Sequence, residues 1–242
     1  RTPHWTVPAR NVPMTDEYEK IWKKDYAERR AQMRYSPSGS LRSVAPIDIS
    51  ALDVSEEDRE QAYRERWAAG GMTLLKSYND LLTNDAANET AAKWVRQRIA
   101  GIVKDPKTAD LLSPKTYPIG TKRLCLDTDY YEAFNRQNVE LVDIVKEPIE
   151  RITLNGLKIG DRTFAFDSIV FATGFDAMTG TLLRVDIQGR GGLTLQKKWE
   201  AGPRTYLGLM SEGFPNMYTI TGPGSPSVKS NMMSSIEQHV EL

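Results

Sequence analysis

The chain has 242 residues, with 32 basic and 32 acidic side chains and therefore no formal net charge. A nucleic-acid-binding protein usually carries an excess of positive charge, so this balance argues against that class of partner. The apolar fraction of 40% and the charged fraction of 26% are ordinary for a soluble globular protein. No apolar stretch is long enough to span a bilayer, and the first residues do not resemble a signal peptide.

Cysteine and histidine are scarce, which limits the chemistry available. The single cysteine, Cys125, excludes an intrachain disulfide and favours a reducing cytoplasm. With only two histidines, His4 and His239, the chain offers little for a zinc centre, and we expect no metal site. The sequence begins Arg1-Thr2-Pro3 without methionine and ends at Glu241-Leu242 inside a predicted helix, so we expect a piece of a longer protein.

Residues 15–115 are predicted to be all-helical. They follow a proline-rich loop over residues 1–14, and Thr15 is the expected N-cap of the first helix. Ser55 opens a capping box for a later helix, with Asp58 in the place of the usual Glu.

Three more helices are expected after Gly70-Gly71, which ends the preceding one. The first covers residues 72–82, and the second is capped by Asn84 or Asp85. Apolar residues recur on one face of that second helix, at Ala91, Trp94, Val95, Ile99 and Ile102. The third covers residues 105–112, starting at an Asp-Pro pair.

The rest of the chain shows strand patterns. Strands are predicted over residues 139–143, 163–166, 167–172, 185–188 and 217–221. Residues 152–158, with Asn155-Gly156 at the turn, are predicted to form a tight hairpin. The apolar run before Thr173-Gly174 is typical of a strand buried on both faces. A last helix is expected from about Lys229.

No complete nucleotide-binding fingerprint is present. Residues 222–227 supply only the first two glycines of G-x-G-x-x-G, and they form either a helix N-terminus beside a cofactor or an ordinary loop. Lys122 and Arg123 follow a Pro-Ile-Gly turn. A lysine can bind a phosphate as a point charge, and an arginine can stabilise an oxyanion that develops during a reaction. On spacing alone, the favoured interpretation is a solvated pair, or an arginine paired with Asp127 or Asp129.

Several other residues have plain structural interpretations. Cys125 is expected to be a small buried residue, and His239 a surface or capping residue. Glu237 and Glu241, four residues apart, are expected to form a solvated helix face. The small residues of 172–176 either allow close approach of a ligand or simply end a strand.

A series of motifs, taken in chain order, resembles the type I Baeyer–Villiger monooxygenases, the flavoproteins typified by phenylacetone and cyclohexanone monooxygenases. The motifs are Tyr117–Arg123, Asp129–Glu132, Phe134–Arg136, Ala172–Ala177, Ala201–Gly208, Gly213–Asn216, Gly222–Ser227 and Ser235–His239. The resemblance covers nearly the whole chain, and the ordered motifs together are far more specific than any one of them.

The resemblance implies an α/β fold with two dinucleotide-binding domains, one for FAD and one for NADP, both Rossmann-like, and an all-helical insertion in the NADP domain. Residues 1–14 would leave the NADP domain and residues 15–115 would be the insertion. Residues 116–176 would return to the NADP domain, and residues 177–242 would start the second segment of the FAD domain.

The resemblance also implies an activity. Such an enzyme uses FAD and NADPH to insert one oxygen atom from O2 next to a ketone carbonyl, giving an ester or a lactone. Arg123 would sit by the flavin and stabilise the C4a-peroxyflavin anion and its adduct with the ketone. The expected partners are the ketone, O2 and the remaining parts of the same polypeptide, in the cytoplasm, with no nucleic acid and no membrane.

Cofactor and substrate contacts follow from the same resemblance. Lys122 would reach the 2′-phosphate of NADP, Arg1 and Thr2 would contact this phosphate and its ribose, and Met232 would lie near the flavin pyrimidine. The substrate pocket would include Ser225, Pro226, Ser227, Val228 and Lys229. A lysine at 229 departs from the small or aliphatic residue usual in the family, which puts the substrate range in question.

Two alternatives stay open. A related flavin monooxygenase would oxygenate nitrogen or sulfur, where a cation beside the oxidant is less needed. Alternatively, these 242 residues alone are catalytically incompetent and bind FAD poorly, because the dinucleotide-binding glycines are absent from them.

Overall fold

The computed structural model describes residues 2–36, 39, 41, 45–225 and 231–242. The chain forms two compact units. The first unit is Arg1–Pro13 with Ser43–Val170, and the second unit is Met14–Arg42 with Phe171–Leu242. The domain boundaries expected from the family resemblance divide the chain differently and stay a prediction.

The helical character of residues 15–115 is confirmed. The helices are α1 (Asp16–Lys24), α2 (Tyr26–Arg34), α3 (Glu56–Ala69), α4 (Asp85–Ile102) and α5 (Pro106–Leu112). A 3₁₀ helix at Gly71–Lys76 takes the place of the longer helix predicted over residues 72–82. The described residues of this region contain no strand.

Side-chain caps start α1, α3, α4 and α5, whereas α2 has no side-chain cap. Each cap accepts a hydrogen bond from a backbone N–H in the first turn: Thr15 from Tyr18, Ser55 from Asp58, Asn84 from Ala86 and Ala87, and Asp105 from Thr108. Gly70, with φ of +73°, ends α3 in the left-handed conformation that favours glycine.

The core of the first unit lies between α3, α4 and a short parallel strand pair. The apolar face of α4 is buried, and its Trp94 contacts Tyr63 and Trp67 of α3, with ring centroids 5.9 and 5.6 Å apart. Strand β1 (Thr6–Pro8) pairs in parallel with β2 (Cys125–Asp127). This pairing places the beginning of the chain beside the segment that follows Arg123.

The first unit also contains α6 (Tyr130–Ala133) and a three-stranded antiparallel sheet. Its strands are β3 (Ile149–Thr153), β4 (Gly156–Ile159) and β5 (Arg162–Ala165), in that order. The predicted hairpin is confirmed, but its turn residues are Leu154 and Asn155, one position before the predicted pair, and Gly156 is the first residue of β4. Gly156 has φ of +155°, and a β-carbon there would collide with the carbonyl oxygen of Phe164, so this position requires glycine.

Four predicted strands do not form as expected. Residues 139–143 and 167–172 have no strand structure, and Val170 and Phe171 are 88% and 65% exposed. An apolar strand is stabilised by neighbours that pair with its backbone and cover its faces, and no described strand pairs with either segment. Residues 185–188 and 217–221 are reduced to isolated bridges, at Gln188 and at Tyr218.

The second unit contains α1, α2 and three further helices. These are α7 (Gly180–Leu183), α8 (Leu195–Lys198) and α9 (Met232–Glu241), with a 3₁₀ turn at Arg190–Gly192. A small apolar core forms around Leu195, Trp199 and Phe214. The predicted helix start at Lys229 lies outside the described residues; Asn231 is the cap that the structure shows.

Helix α9 is joined to α2 by two ion pairs, Arg30 with Glu237 and Arg34 with Glu241. The solvated helix face expected at Glu237 and Glu241 is confirmed, since both side chains are about half exposed, and each carboxylate is also ion-paired. The partners are 207 residues apart in sequence, so no local pattern reveals them. Arg30 and Arg34 are four residues apart on α2, and Glu237 and Glu241 are four residues apart on α9. The two arginines therefore lie on one face of α2 and the two glutamates on one face of α9.

None of the helices among the described residues is both long enough and apolar enough to cross a membrane.

Candidate functional site

A groove of about 560 Å³ in the second unit is lined by residues from three separate segments of the chain. It is lined by Met178 and Leu182, by the loop Thr219–Ser225, and by Met232 at the start of α9. Two residues expected to contact flavin or substrate, Ser225 and Met232, therefore share one cavity. Pro226, Ser227, Val228 and Lys229, the remaining predicted pocket residues, lie outside the described residues.

Hydrogen bonds from a neighbouring segment fix the loop of this groove. The Thr219 hydroxyl donates to the carbonyl oxygen of Gly208 at 2.8 Å, and the Gly222 N–H donates to the same oxygen at 3.1 Å. The Thr205 hydroxyl donates to the Pro223 carbonyl at 2.6 Å. A β-carbon on Gly208 would lie 2.6 Å from the backbone nitrogen of Ser225, so the close approach requires glycine.

His239 holds the same loop from α9. Its side chain is only 6% exposed, and Nδ1 accepts the backbone N–H of Thr221 at 3.0 Å. Accepting this bond requires an unprotonated Nδ1. Thr221 has φ of +52°, an unfavourable conformation for a β-branched residue, which the bond helps to maintain.

The expectation of a surface or capping role for His239 is wrong, because the imidazole is buried and bonds to a loop. One feature of the sequence could have indicated that His239 is on the same side of α9 as Met232. His239 lies seven residues after Met232, which places both on one face of a helix.

In the first unit, Tyr117 connects two segments expected to bind the same phosphate. The ammonium of Lys122 lies 4.5 Å from the centroid of the Tyr117 ring. The Tyr117 hydroxyl donates to the carbonyl oxygen of Pro3 at 2.9 Å, immediately after the exposed Thr2. Burial raises the pKa of Tyr117 above its ordinary value, so its hydroxyl is a donor at neutral pH. Arg1 lies outside the described residues.

Arg123 is exposed, whereas the next residue, Leu124, is buried. Cys125 is also exposed, so the expectation of a small buried residue is wrong. Successive side chains in an extended segment point to opposite faces, and Leu124 occupies the face toward the core. Among the described residues, no group of three or more His, Cys, Asp or Glu side chains is arranged to hold a metal ion.

The chain is similar in sequence to several flavin-type monooxygenases. It is 39% identical to the 2-oxo-Δ3-4,5,5-trimethylcyclopentenylacetyl-CoA monooxygenase of Pseudomonas putida, over 96% of the chain and 42% of that protein. It is 36% identical to a Baeyer–Villiger monooxygenase of Pseudooceanicola batsensis, over 100% of the chain and 44% of that protein. It is 35% identical to the phenazine N-monooxygenase of Lysobacter antibioticus, again over 100% and 44%. No protein-family model matches the chain.

Solved structures show the same likeness. An oxidized steroid monooxygenase bound to NADP superimposes with a TM-score of 0.87 at 48% identity, over 100% of this chain and 46% of that one. OTEMO in complex with FAD and NADP superimposes with a TM-score of 0.90 at 37% identity, over 99% of this chain and 44% of that one. The chain thus spans less than half of the length of each of these proteins.

Identity along the entire chain, together with the superposition of its fold, shows that the chain belongs to the Baeyer–Villiger monooxygenase family and has part of the two-dinucleotide-binding-domain fold of these flavoproteins, with its helical insertion.

Proposed function

We propose that this protein is an FAD- and NADPH-dependent Baeyer–Villiger monooxygenase. In this reaction one atom of O2 enters between the carbonyl carbon of a ketone and a neighbouring carbon, giving an ester or a lactone. The other oxygen atom leaves as water, and NADPH supplies two electrons. The observation that carries the proposal is the sequence likeness over the whole chain to a Baeyer–Villiger enzyme, joined to a fold shared with structures bound to FAD and NADP.

The groove of the second unit fits a flavin. Gly208 and Gly222 bring the backbone close together, and Met178 and Leu182 line the groove together with the loop 219–225. A flat, mostly apolar ring system with polar edges suits such a lining. Met232 and Ser225 are the residues that we assign to hold it. When bound, FAD supplies the activation of O2.

The surface around Tyr117 fits the 2′-phosphate of NADPH. Lys122 presents an exposed ammonium, and the Tyr117 ring limits the directions in which that ammonium can point. The hydrogen bond from the Tyr117 hydroxyl to the Pro3 carbonyl places Thr2 close by, where its hydroxyl can donate to a phosphate oxygen. A fixed cation with a nearby hydroxyl donor is suited to a phosphate and gives no benefit with NADH.

We assign to Arg123 the stabilisation of negative charge at the reacting oxygen. Its guanidinium stays charged at any accessible pH and offers several N–H donors in one plane. A cation set in place before the reaction stabilises an anion more than it stabilises a neutral ketone, and this difference lowers the barrier. Exposure of Arg123 leaves the side chain accessible to a reactant.

Oxygenation of nitrogen or sulfur is the second candidate. The phenazine N-monooxygenase of Lysobacter antibioticus is 35% identical to the chain, close to the identity of the Baeyer–Villiger relative. Transfer of oxygen to a heteroatom lone pair needs no anionic oxygen at the reacting centre. The two candidates therefore differ in how much they depend on Arg123.

The decisive experiment compares oxidation of a cyclic ketone and of a thioether by the FAD-loaded protein, with Arg123→Ala and with Arg151→Ala as an exposed-arginine control. Loss of a preorganised charge partner predicts a fall in kcat for the ketone of about 100-fold or more, with thioether oxidation much less affected. Ketone oxidation that survives Arg123→Ala undiminished would contradict the assignment, and products from the thioether alone would favour the second candidate.

We also propose a cytoplasmic location, where NADPH is regenerated and the exposed thiol of Cys125 stays reduced.

A further inference from the structure

A buried asparagine of α4 bonds to the turn that leads into Lys122 and Arg123. Asn88 is 5% exposed, and its side-chain nitrogen donates to the carbonyl oxygens of Leu81 at 2.7 Å and Ile119 at 2.8 Å. Its side-chain oxygen accepts the N–H of Ile119 at 3.0 Å. The amide thus pairs with both backbone groups of Ile119, as a neighbouring strand would do.

The turn held in this way is rigid and short. Ile119 is fully buried, and Gly120 has φ of +91°. A β-carbon on Gly120 would lie 2.6 Å from a methyl carbon of Leu82, so the turn lies directly against the residues before α4. The Thr121 N–H donates to the Pro118 carbonyl at 3.4 Å, which closes the turn.

Lys122 and Arg123 therefore lie between two buried anchors. Ile119 precedes them and Leu124, 3% exposed, follows them. Apolar burial alone tolerates sliding of the backbone, whereas three hydrogen bonds with fixed directions set its register. Asn88 supplies these bonds from the helical region, 31 residues earlier in the chain.

We propose that Asn88 is a positioning residue: it fixes the backbone at Ile119 and thereby sets where the charges of Lys122 and Arg123 lie. The inference rests on the proposed function of these two cations. It gives the helical region a role in the reaction, because Asn88 of α4 determines where the side chains of Lys122 and Arg123 lie, although these two residues are outside that helix. Displacement of a charged group by about 1 Å is enough to reduce catalysis strongly.

The first test needs no coenzyme. Amide hydrogen exchange of residues 119–123 is measured in wild type, in Asn88→Ala and in Thr90→Val. Thr90 is the matched control, because it lies on the same helix and its hydroxyl contacts the Tyr63 hydroxyl at 2.7 Å, away from the turn. Asn88→Ala is expected to raise exchange at Ile119 about tenfold or more, since its N–H loses its acceptor, and Thr90→Val is expected to leave it unchanged.

The second test uses the FAD-loaded protein and the ratio of kcat/KM for NADPH to that for NADH. Asn88→Gln keeps the amide but moves it by one methylene, so the fold is retained while the turn is displaced. We expect this ratio to fall about tenfold in Asn88→Gln, and Thr90→Val to lower the melting temperature without changing the ratio.

Unchanged exchange at residues 119–121 in Asn88→Ala would overturn the inference, and so would an unchanged coenzyme ratio in Asn88→Gln. If the wild-type protein itself shows no preference for NADPH, the proposed function fails at Lys122. In that case the exchange measurement still decides whether Asn88 positions the turn.

Discussion

The imidazole of His239 accepts the backbone N–H of Thr221 at 3.0 Å, and this bond joins α9 to the loop of the groove in the second unit. Met232 lies on the same face of α9, at the opposite end of the helix. One helix therefore both lines the groove and fixes the loop that faces it. Loss of this bond would release Thr221 from its left-handed conformation.

The first prediction concerns this bond. His239→Leu should weaken FAD binding about tenfold, because a buried N–H is left without an acceptor and the loop relaxes. His239→Asn should restore most of the affinity, since the asparagine oxygen can occupy the position of Nδ1. FAD affinity is measured by quenching of flavin fluorescence, with the exposed Gln238→Ala as control. Equal losses in the leucine and asparagine variants would show that packing, not the acceptor, is what matters.

The second prediction concerns coenzyme choice. Lys122→Ala should lower kcat/KM for NADPH by about 10–100-fold, because a charge-assisted hydrogen bond to the 2′-phosphate is lost. The value for NADH should change by less than about threefold, since NADH has no such phosphate. Steady-state kinetics with both coenzymes provide the check. Lys107→Ala, at an exposed position of α5, serves as control, and a parallel loss with NADPH and NADH would contradict the assignment.

The third prediction concerns the ion pairs between α2 and α9. Arg30→Glu should lower the free energy of unfolding of the protein by about 0.5–1 kcal/mol, because it places like charges together at a half-exposed site. The double variant Arg30→Glu with Glu237→Arg should recover most of this loss. Urea unfolding of both single variants and the double variant completes a double-mutant cycle. Additive effects of the two single changes would mean that the pair contributes nothing.

The fourth prediction concerns acid stability through Asp80. Burial is the largest single influence and raises the pKa of this carboxyl, but hydrogen bonds from the Ser50 hydroxyl and the Ala51 N–H together outweigh it and hold the pKa below its ordinary value. A folded-state pKa below the unfolded value gives stability that is present above pH about 4 and is lost as pH falls through the folded pKa.

Asp80→Asn removes this titration. The free energy of unfolding of the wild type should exceed that of the variant by about 1 kcal/mol at pH 6, and the difference should shrink below pH about 4. Urea unfolding between pH 6 and pH 2.5 measures it. A difference that stays constant over this range would show that the carboxylate makes no pH-dependent contribution.

Local features were predictable from the sequence because their physical causes are local. Thr15, Ser55 and Asn84 cap helices through bonds to residues two or three positions ahead, and the hairpin from β3 to β4 is closed by a turn of only two residues. Strands over residues 139–143 and 167–172 were predicted wrongly. A strand depends on a partner elsewhere in the chain, and an apolar pattern does not show whether that partner is present.

The sequence by itself determined the family, through the order of its motifs, and the helical character of residues 15–115, through caps and periodicity. Only the tertiary structure decided which polar groups meet. Asn88 with Ile119, His239 with Thr221 and Arg30 with Glu237 are 31, 18 and 207 residues apart. A hydrogen bond or an ion pair depends on distances of a few ångströms, and separation along the chain does not set those distances.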